Sequence, residues 1–315
     1  MWRDAYYLMK PLIPRDVQLL LRRRFVRIKR FRNQYVWPID PDCAAPPQDW
    51  PGWPDGKRFA LVLTHDVDTQ PGHDKCLRLM ALEKKMGFRS AFYFVPERYS
   101  VSPDLRQQLR RNGFEVGVHG LTHDGKLYSS RRVFLERAEK INKYIRQWGA
   151  VGFRSPAMHH NLEWIHDLDI DYDASTFDTD PFEPQSDGLG TIFPQWIGNG
   201  SREGGYVELP YTLVQDFTLF ILMGETDTSI WRRKLDWIAE QGGMALLNTH
   251  PDYMRFSPDE RSRELYPVAL YQDFLKYLNA EYKEHYWHVL PKDLASYCAA
   301  NVTGQPRSGE AEILA

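Results

Sequence analysis

One feature limits the fold more than any other. From Phe59 onward, short apolar runs alternate with stretches whose apolar residues recur at helical spacing. Residues 59–64 predict a strand, and 75–86 a helix closed by Gly87. A second strand is expected over 90–95. Next comes a helix with Ser102 as its N-cap, Pro103 in its first turn and Gly113 past its end. A third strand follows over 114–118. Phe134, Ala138, Ile141, Ile145 and Trp148 then recur at intervals of four, three, four and three, the mark of an amphipathic helix, and Gly149 closes it. Residues 151–154 and 170–175 predict short strands, 230–240 a helix, 244–249 an apolar strand and 286–290 a last strand. Residues 176–225 lack periodicity and read as long loops with added strands. Strands separated by helices pair in parallel, and this many units favour a barrel over an open sheet. The expected class is α/β.

The ends of the chain differ from this middle. Residues 1–32 hold ten Lys/Arg and two Asp/Glu, a charge of +8, which leaves −10 for the rest of a chain whose total is −2. Val17, Leu20, Leu21, Phe25 and Ile28 recur there at helical spacing, with Arg22, Arg23, Arg27 and Arg30 between them. Two readings stay open. The helix docks on anionic lipid or an acidic partner, a peripheral membrane contact through residues 1–32. Or it is an accessory helix packed on the main domain with solvated arginines, the commoner use of such a helix. Residues 38–54 contain six prolines and read as an extended connector. The expected organisation is a basic helical extension with its connector over 1–56, a barrel over 57–302 and a disordered tail over 303–315.

Composition excludes several function classes. Apolar residues at 43% and charged residues at 26% are ordinary for a soluble globular chain. Cys43, Cys76 and Cys298 are odd in number and show no metal or disulfide spacing, which fits a reducing compartment. No apolar run approaches a membrane span, and Arg15 and Asp16 interrupt the one candidate leader, so the expected location is cytoplasmic. No phosphate loop or nucleophile elbow appears. The basic segment resembles a nucleic-acid footprint, but the acidic main domain argues against nucleic acid as a partner.

Chemistry-bearing residues gather at strand ends, where parallel barrels keep their active groups. Asp66 and Asp68 follow the first strand, two residues apart and so on one side of an extended chain. Taken alone they read equally well as turn or capping aspartates. His119 and His123 follow the third strand, and at that spacing they share one face of a helical turn and can grip one ion. Two histidines with one carboxylate form a recurring catalytic zinc set. Gly152-Phe153-Arg154-Ser155-Pro156-Ala157, Tyr172-Asp173-Ala174-Ser175 and Leu247-Asn248-Thr249-His250-Pro251 each end or follow a further strand. Singly each is weak, since Arg154 could be a surface ion-pair partner and His250 a satisfied buried histidine. The fixed order of five such stations is not weak.

That order, D-x-D, H-x-x-x-H, R-x-P, Y-D-x-S and L-x-x-H, resembles the motif series of the polysaccharide deacetylases (NodB-type, carbohydrate esterase family four), over about residues 57–292. The resemblance implies a distorted (β/α)7-type barrel and a metal-dependent hydrolase that removes an acetyl group from a sugar or glycan intermediate. It implies that Asp68, His119 and His123 hold a divalent ion, commonly zinc. Asp66 is then the general base, Arg154 orients it, His250 is the general acid and Asp173 supports the His250 region. The backbone N–H of Ala157 is placed to hold the oxyanion. The segment with Trp37-Pro38-Ile39-Asp40 also resembles deacetylase-like proteins of bacterial surface-polysaccharide gene clusters. The chain departs from the family's T-F-D-D-G at His65 and Val67, carries Gly120 where Ser or Thr is usual, and carries Ala157 in place of Tyr. His159 and His160, which follow, read as exposed loop histidines or as pocket lining. These departures leave the metal and acid–base set complete and bear on the substrate. Two other readings accompany this one: an allantoinase-like amidohydrolase on a small C–N bond, since D-x-D forms occur in such branches, and a non-catalytic glycan-binding protein on the same fold.

Overall fold

The computed structural model describes residues 14–198 and 204–301; the expected tail, 303–315, lies outside the described residues. Strand β1 (Phe59–Val67) is the axis of the sheet. All nine of its residues are buried, as in a parallel strand covered on both faces. The first half of β1 pairs with β9 (Tyr286–His288) and the second with β2 (Ala91–Phe94), while β8 (Met244–Thr249) runs along its other edge. Beyond β2 follow β3 (Glu115–His119), β4 (Gly152–Arg154), β5 (Tyr172–Asp173) and β7 (Gly205–Glu208), all parallel; β6 (Gln195–Gly198) joins β7 antiparallel. The segment after β7 bridges Phe177 through Tyr211 and β8 through Leu213, which brings the curled sheet round toward closure. The fold is α/β, a distorted barrel.

Helices cover the outside: α2 (Gln70–Met86), α3 (Pro103–Arg111), α4 (Arg131–Trp148), α5 (Ser229–Gln241), α6 (Val268–Glu281) and α7 (Pro291–Asn301). The predicted punctuation is visible. Ser102 accepts the Leu105 N–H, and Gly87 and Gly149 end α2 and α4 in the left-handed region. The buried residues of α4 are the five whose spacing predicted it. Inside the barrel, Tyr93 and Tyr172 share a hydroxyl–hydroxyl hydrogen bond of 2.7 Å. Gly152 makes room for them, because a Cβ there would lie 2.0 Å from the Tyr172 ring. The aperiodic stretch holds the β6–β7 pair and a π-helical turn, Phe217–Met223.

The basic helix α1 (Arg15–Arg32) packs on the main body, but not by the expected stripe. Leu19 and Val26 are buried, while Val17, Leu20, Leu21, Phe25 and Ile28 face outward. The expected solvation of its arginines is incomplete for three of the four named, and Arg22 lies over the Phe217 ring. Arg23 Nε donates to the Ile221 carbonyl at 2.9 Å, and Arg30 pairs with Glu225 at 2.5 Å. Lys29 donates to the Pro181 carbonyl. The side that meets the domain is therefore largely cationic, and it is satisfied by carbonyls and one carboxylate. The proline-rich stretch lies against the body with Trp37, Cys43 and Trp53 buried.

Candidate metal and acid–base centre

Strand alternation sorts the residues of β1. Thr64, Asp66 and Asp68 point one way, His65 and Val67 the other. His65, standing where the family carries an aromatic, is buried between Glu83 (2.8 Å) and Thr249 (2.7 Å), with its ring 4.7 Å from Phe92. It belongs to the layer between sheet and helices, not to the site.

The Asp66 carboxylate is clamped. Arg154 Nη1 donates to Oδ1 at 3.2 Å, and Asn248 Nδ2 donates to Oδ2 at 2.7 Å. The same Arg154 nitrogen also donates to Thr64 Oγ1 (2.9 Å) and Asn248 Oδ1 (2.8 Å), and its guanidinium lies 4.7 Å from the centre of the Tyr93 ring. Burial favours the neutral acid at Asp66. His119, Arg154 and His250 outweigh it and hold the carboxyl below its usual range.

Asp68 meets the two histidines. Its Oδ1 lies 3.1 Å from His123 Nε2 and 3.4 Å from His119 Nε2. His119 Nδ1 lies 2.9 Å from the Arg154 carbonyl. That bond assigns the proton to Nδ1 and leaves the Nε2 lone pair facing Asp68. Asp68 Oδ1 is buried without a hydrogen-bond partner. An orphaned carboxylate oxygen between two imidazole nitrogens, with all three ligand atoms within 4.8 Å of one another, is a donor set suited to a divalent cation. The surrounding charges point the same way. Burial opposes ionisation, yet the histidines hold Asp68 well below the usual carboxylate range, and Asp66 and Asp68 raise His119.

The histidine pair is not on a helical turn, as its spacing suggested. His119 ends β3, and the chain bends back through Gly120 (φ 61°) and His123 (φ 55°), both left-handed. Gly120 is required twice, because a Cβ on it would also lie 2.5 Å from Pro156 Cδ. The Ser or Thr usual at this position has no room here.

His250 stands at the end of β8, its Nε2 3.9 Å from Asp66 Oδ2. Its partner is Asp216, not Asp173. Asp216 Oδ1 lies 2.7 Å from His250 Nδ1, and Oδ2 accepts the His250 N–H (2.8 Å) and the Tyr266 hydroxyl (2.9 Å). Burial would lower the imidazole, but Asp216, then Asp68 and Asp66, push it up to about 10. Asp173 instead accepts from Ser175 Oγ (2.5 Å), which in turn accepts the Ser155 N–H (2.8 Å). It supports the turn after β4, where Ala157 sits at φ 56°. His159 and His160 are buried, and His160 is held by the carbonyls of Met158 and Asp187, so the exposed-loop reading fails.

Sequence reasoning missed three polar partners. Asn248 lies two residues before His250 on the same strand face, a signal that was present. Asp252 accepts the Asp68 N–H at 3.0 Å and Thr69 Oγ1 at 2.5 Å, fixing the exit from β1. Asp216 caps the π-helical turn within the aperiodic stretch, and its one trace is a carboxylate directly before the apolar run Phe217–Met223.

Residues 54–161 match the family model described as polysaccharide deacetylase. Among solved structures, a Mycobacterium smegmatis protein described as a polysaccharide deacetylase superposes with a TM-score of 0.63 at 18% identity, covering 84% of this chain and 97% of that one. The Puue allantoinase gives 0.61 at 15% identity, covering 82% and 96%. A Pseudomonas aeruginosa PAO1 protein described as a polysaccharide deacetylase gives 0.60 at 15% identity, covering 82% and 97%. No protein of curated function matches the chain. On motif series, family match and fold alike, the chain resembles the polysaccharide deacetylases.

Proposed function

We propose that this protein is a metal-dependent N-deacetylase acting on an acetamido sugar or a glycan intermediate. The family match supports deacetylation of a glycan. The observation that carries the finer reading is the orphaned Asp68 oxygen between His119 and His123, beside a clamped Asp66 and a His250 ring paired with Asp216. Asp68, His119 and His123 would hold the ion, and two nitrogen donors with one oxygen suit zinc. When bound, such an ion supplies a Lewis acid that acidifies water and polarises a carbonyl.

The side chains do the rest. Asp66, kept ionised by Arg154 and Asn248, takes the proton from the attacking water as its oxygen bonds to the acyl carbon. The N–H of Ala157 stabilises the developing oxyanion. His250 gives its Nε2 proton to the departing nitrogen as the C–N bond breaks. That proton is needed because an amide anion is a very poor leaving group, and Asp216 stabilises the imidazolium until it is given up. Products are acetate and the free amine. We read 57–302 as the catalytic unit, with 1–56 as its accessory extension. No helix among the described residues is long and apolar enough to cross a membrane. The three unpaired, buried cysteines support a reducing, cytoplasmic setting.

Acetate release from N-acetylated sugars tests the assignment. Asp66→Asn should lower kcat by about 10²- to 10⁴-fold with the fold intact. Undiminished turnover in Asp66→Asn would remove the assigned base. Turnover of allantoin but no acetylated sugar would move the chain to the amidohydrolase reading. Tight sugar binding without turnover would make it a binding protein.

A further inference from the structure

Six large apolar side chains share one face of α1. Val17, Leu20, Leu21, Phe25, Ile28 and Phe31 are all exposed, Leu20 to 67% and Phe31 to 75%. Tyr35 and Val36, just beyond the helix, are exposed as well. Single exposed apolar residues are ordinary, but six on one helix face are not. Arg24 and Arg32 stand within that face and Arg27 at its edge, all three exposed, and Asp16 is the one acidic residue between positions 14 and 36.

We propose that α1 docks the protein on an anionic lipid surface. The apolar side chains enter the boundary between headgroups and acyl chains, and the three arginines meet lipid phosphates. Charge complementarity selects this occupant. A second copy of α1 would set the same arginines against one another with a single Asp16 per helix to offset them. An anionic bilayer offers a phosphate to each, and long arginine stems can lie along the apolar face while their heads reach it. A groove of about 220 Å³ between α1 and Arg263, lined by Asp16, Val17, Leu19, Leu20 and Arg23, adjoins this face.

The opposite side of α1 leads to the reaction centre. Arg22 lies over the Phe217 ring at 4.8 Å, Phe217 is 4.6 Å from Tyr253, and Tyr253 is 5.2 Å from His250, centre to centre. A docked molecule therefore keeps His250 a few side chains from the lipid, where a glycan on a lipid carrier is presented. That consequence rests on the proposed deacetylase reading. The docking itself does not, and a binding assay reads it without any turnover.

Co-sedimentation of the full chain with vesicles tests it. Phosphatidylcholine vesicles containing phosphatidylglycerol should pellet the protein at low salt, and pure phosphatidylcholine vesicles should not. Leu20→Ser with Phe31→Ser, and separately Arg24→Gln with Arg27→Gln, should each weaken binding at least about tenfold. Circular dichroism and melting temperature should match the parent, because all four side chains are exposed. Absence of pelleting for the folded parent at low salt would overturn the proposal, as would pelleting indifferent to both double variants. A concentration-dependent dimer broken by Leu20→Ser with Phe31→Ser, without vesicle binding, would overturn it too and assign the face to a second copy.

Discussion

Asp216 and Asp173 separate what a single side chain does from where its motif predicts it. Both are fully buried, but Asp216 holds both the ring and the backbone N–H of His250, whereas Asp173 holds Ser175. The acid needs its proton, so activity should persist below the His250 pKa and fall as pH rises through it. With Asp216 in place that limb lies toward about 10. Asp216→Asn removes the largest influence that raises His250, so the basic limb should move down toward neutrality and kcat fall about 10²-fold or more. Asp173→Asn should leave the basic limb where it is. A pH–rate profile of both variants distinguishes the roles, and a shift in Asp173→Asn alone would reverse the assignment. The D-x-D, H-x-x-x-H and L-x-x-H residues were legible because each ends or follows an apolar strand. Asp216 was not, because it lies on no strand and its neighbours in space are 34 and 50 residues away in sequence.

Regular elements show the same boundary between local and non-local information. Strands β1 and β8 and helix α4 are legible because one period governs each and caps or glycines mark their ends. The His119–His123 loop is not, since its geometry depends on two left-handed residues packed against Pro156. Helix α6 was not predicted, although Tyr271, Phe274, Leu275 and Leu278, its buried residues, recur at helical spacing. The stretch after β5 is held by a non-local ion pair. Lys234 of α5 donates to Asp178 at 2.5 Å with both side chains buried. Burial raises Asp178 to about 6 even beside that lysine. Lys234→Met would strand the carboxylate and should cost about 3–5 kcal/mol at neutral pH. A carboxyl whose folded pKa exceeds its unfolded value loses stability as pH rises past the unfolded value, so this deficit should shrink on acidification. Denaturant titrations at pH 5 and pH 8 check it, and an equal deficit at both would contradict the stranded-charge account.

The whole molecule is a curled parallel sheet whose strand ends converge on one centre, with a cationic helix laid beside the element that carries Asp216. The alternation of strands and helices made the barrel legible. The orientation of α1 was not, because its inward face is held by carbonyls and a carboxylate rather than by the hydrophobic stripe its periodicity displays. The proposed chemistry requires a single ion shared by Asp68, His119 and His123. A crystal of the protein grown with zinc, measured on both sides of the zinc absorption edge, tests that most directly. One strong anomalous peak is expected about 2.0–2.2 Å from Asp68 Oδ1 and the Nε2 atoms of His119 and His123. A zinc-saturated crystal with no peak there, or with its peak bound by other side chains, would contradict it.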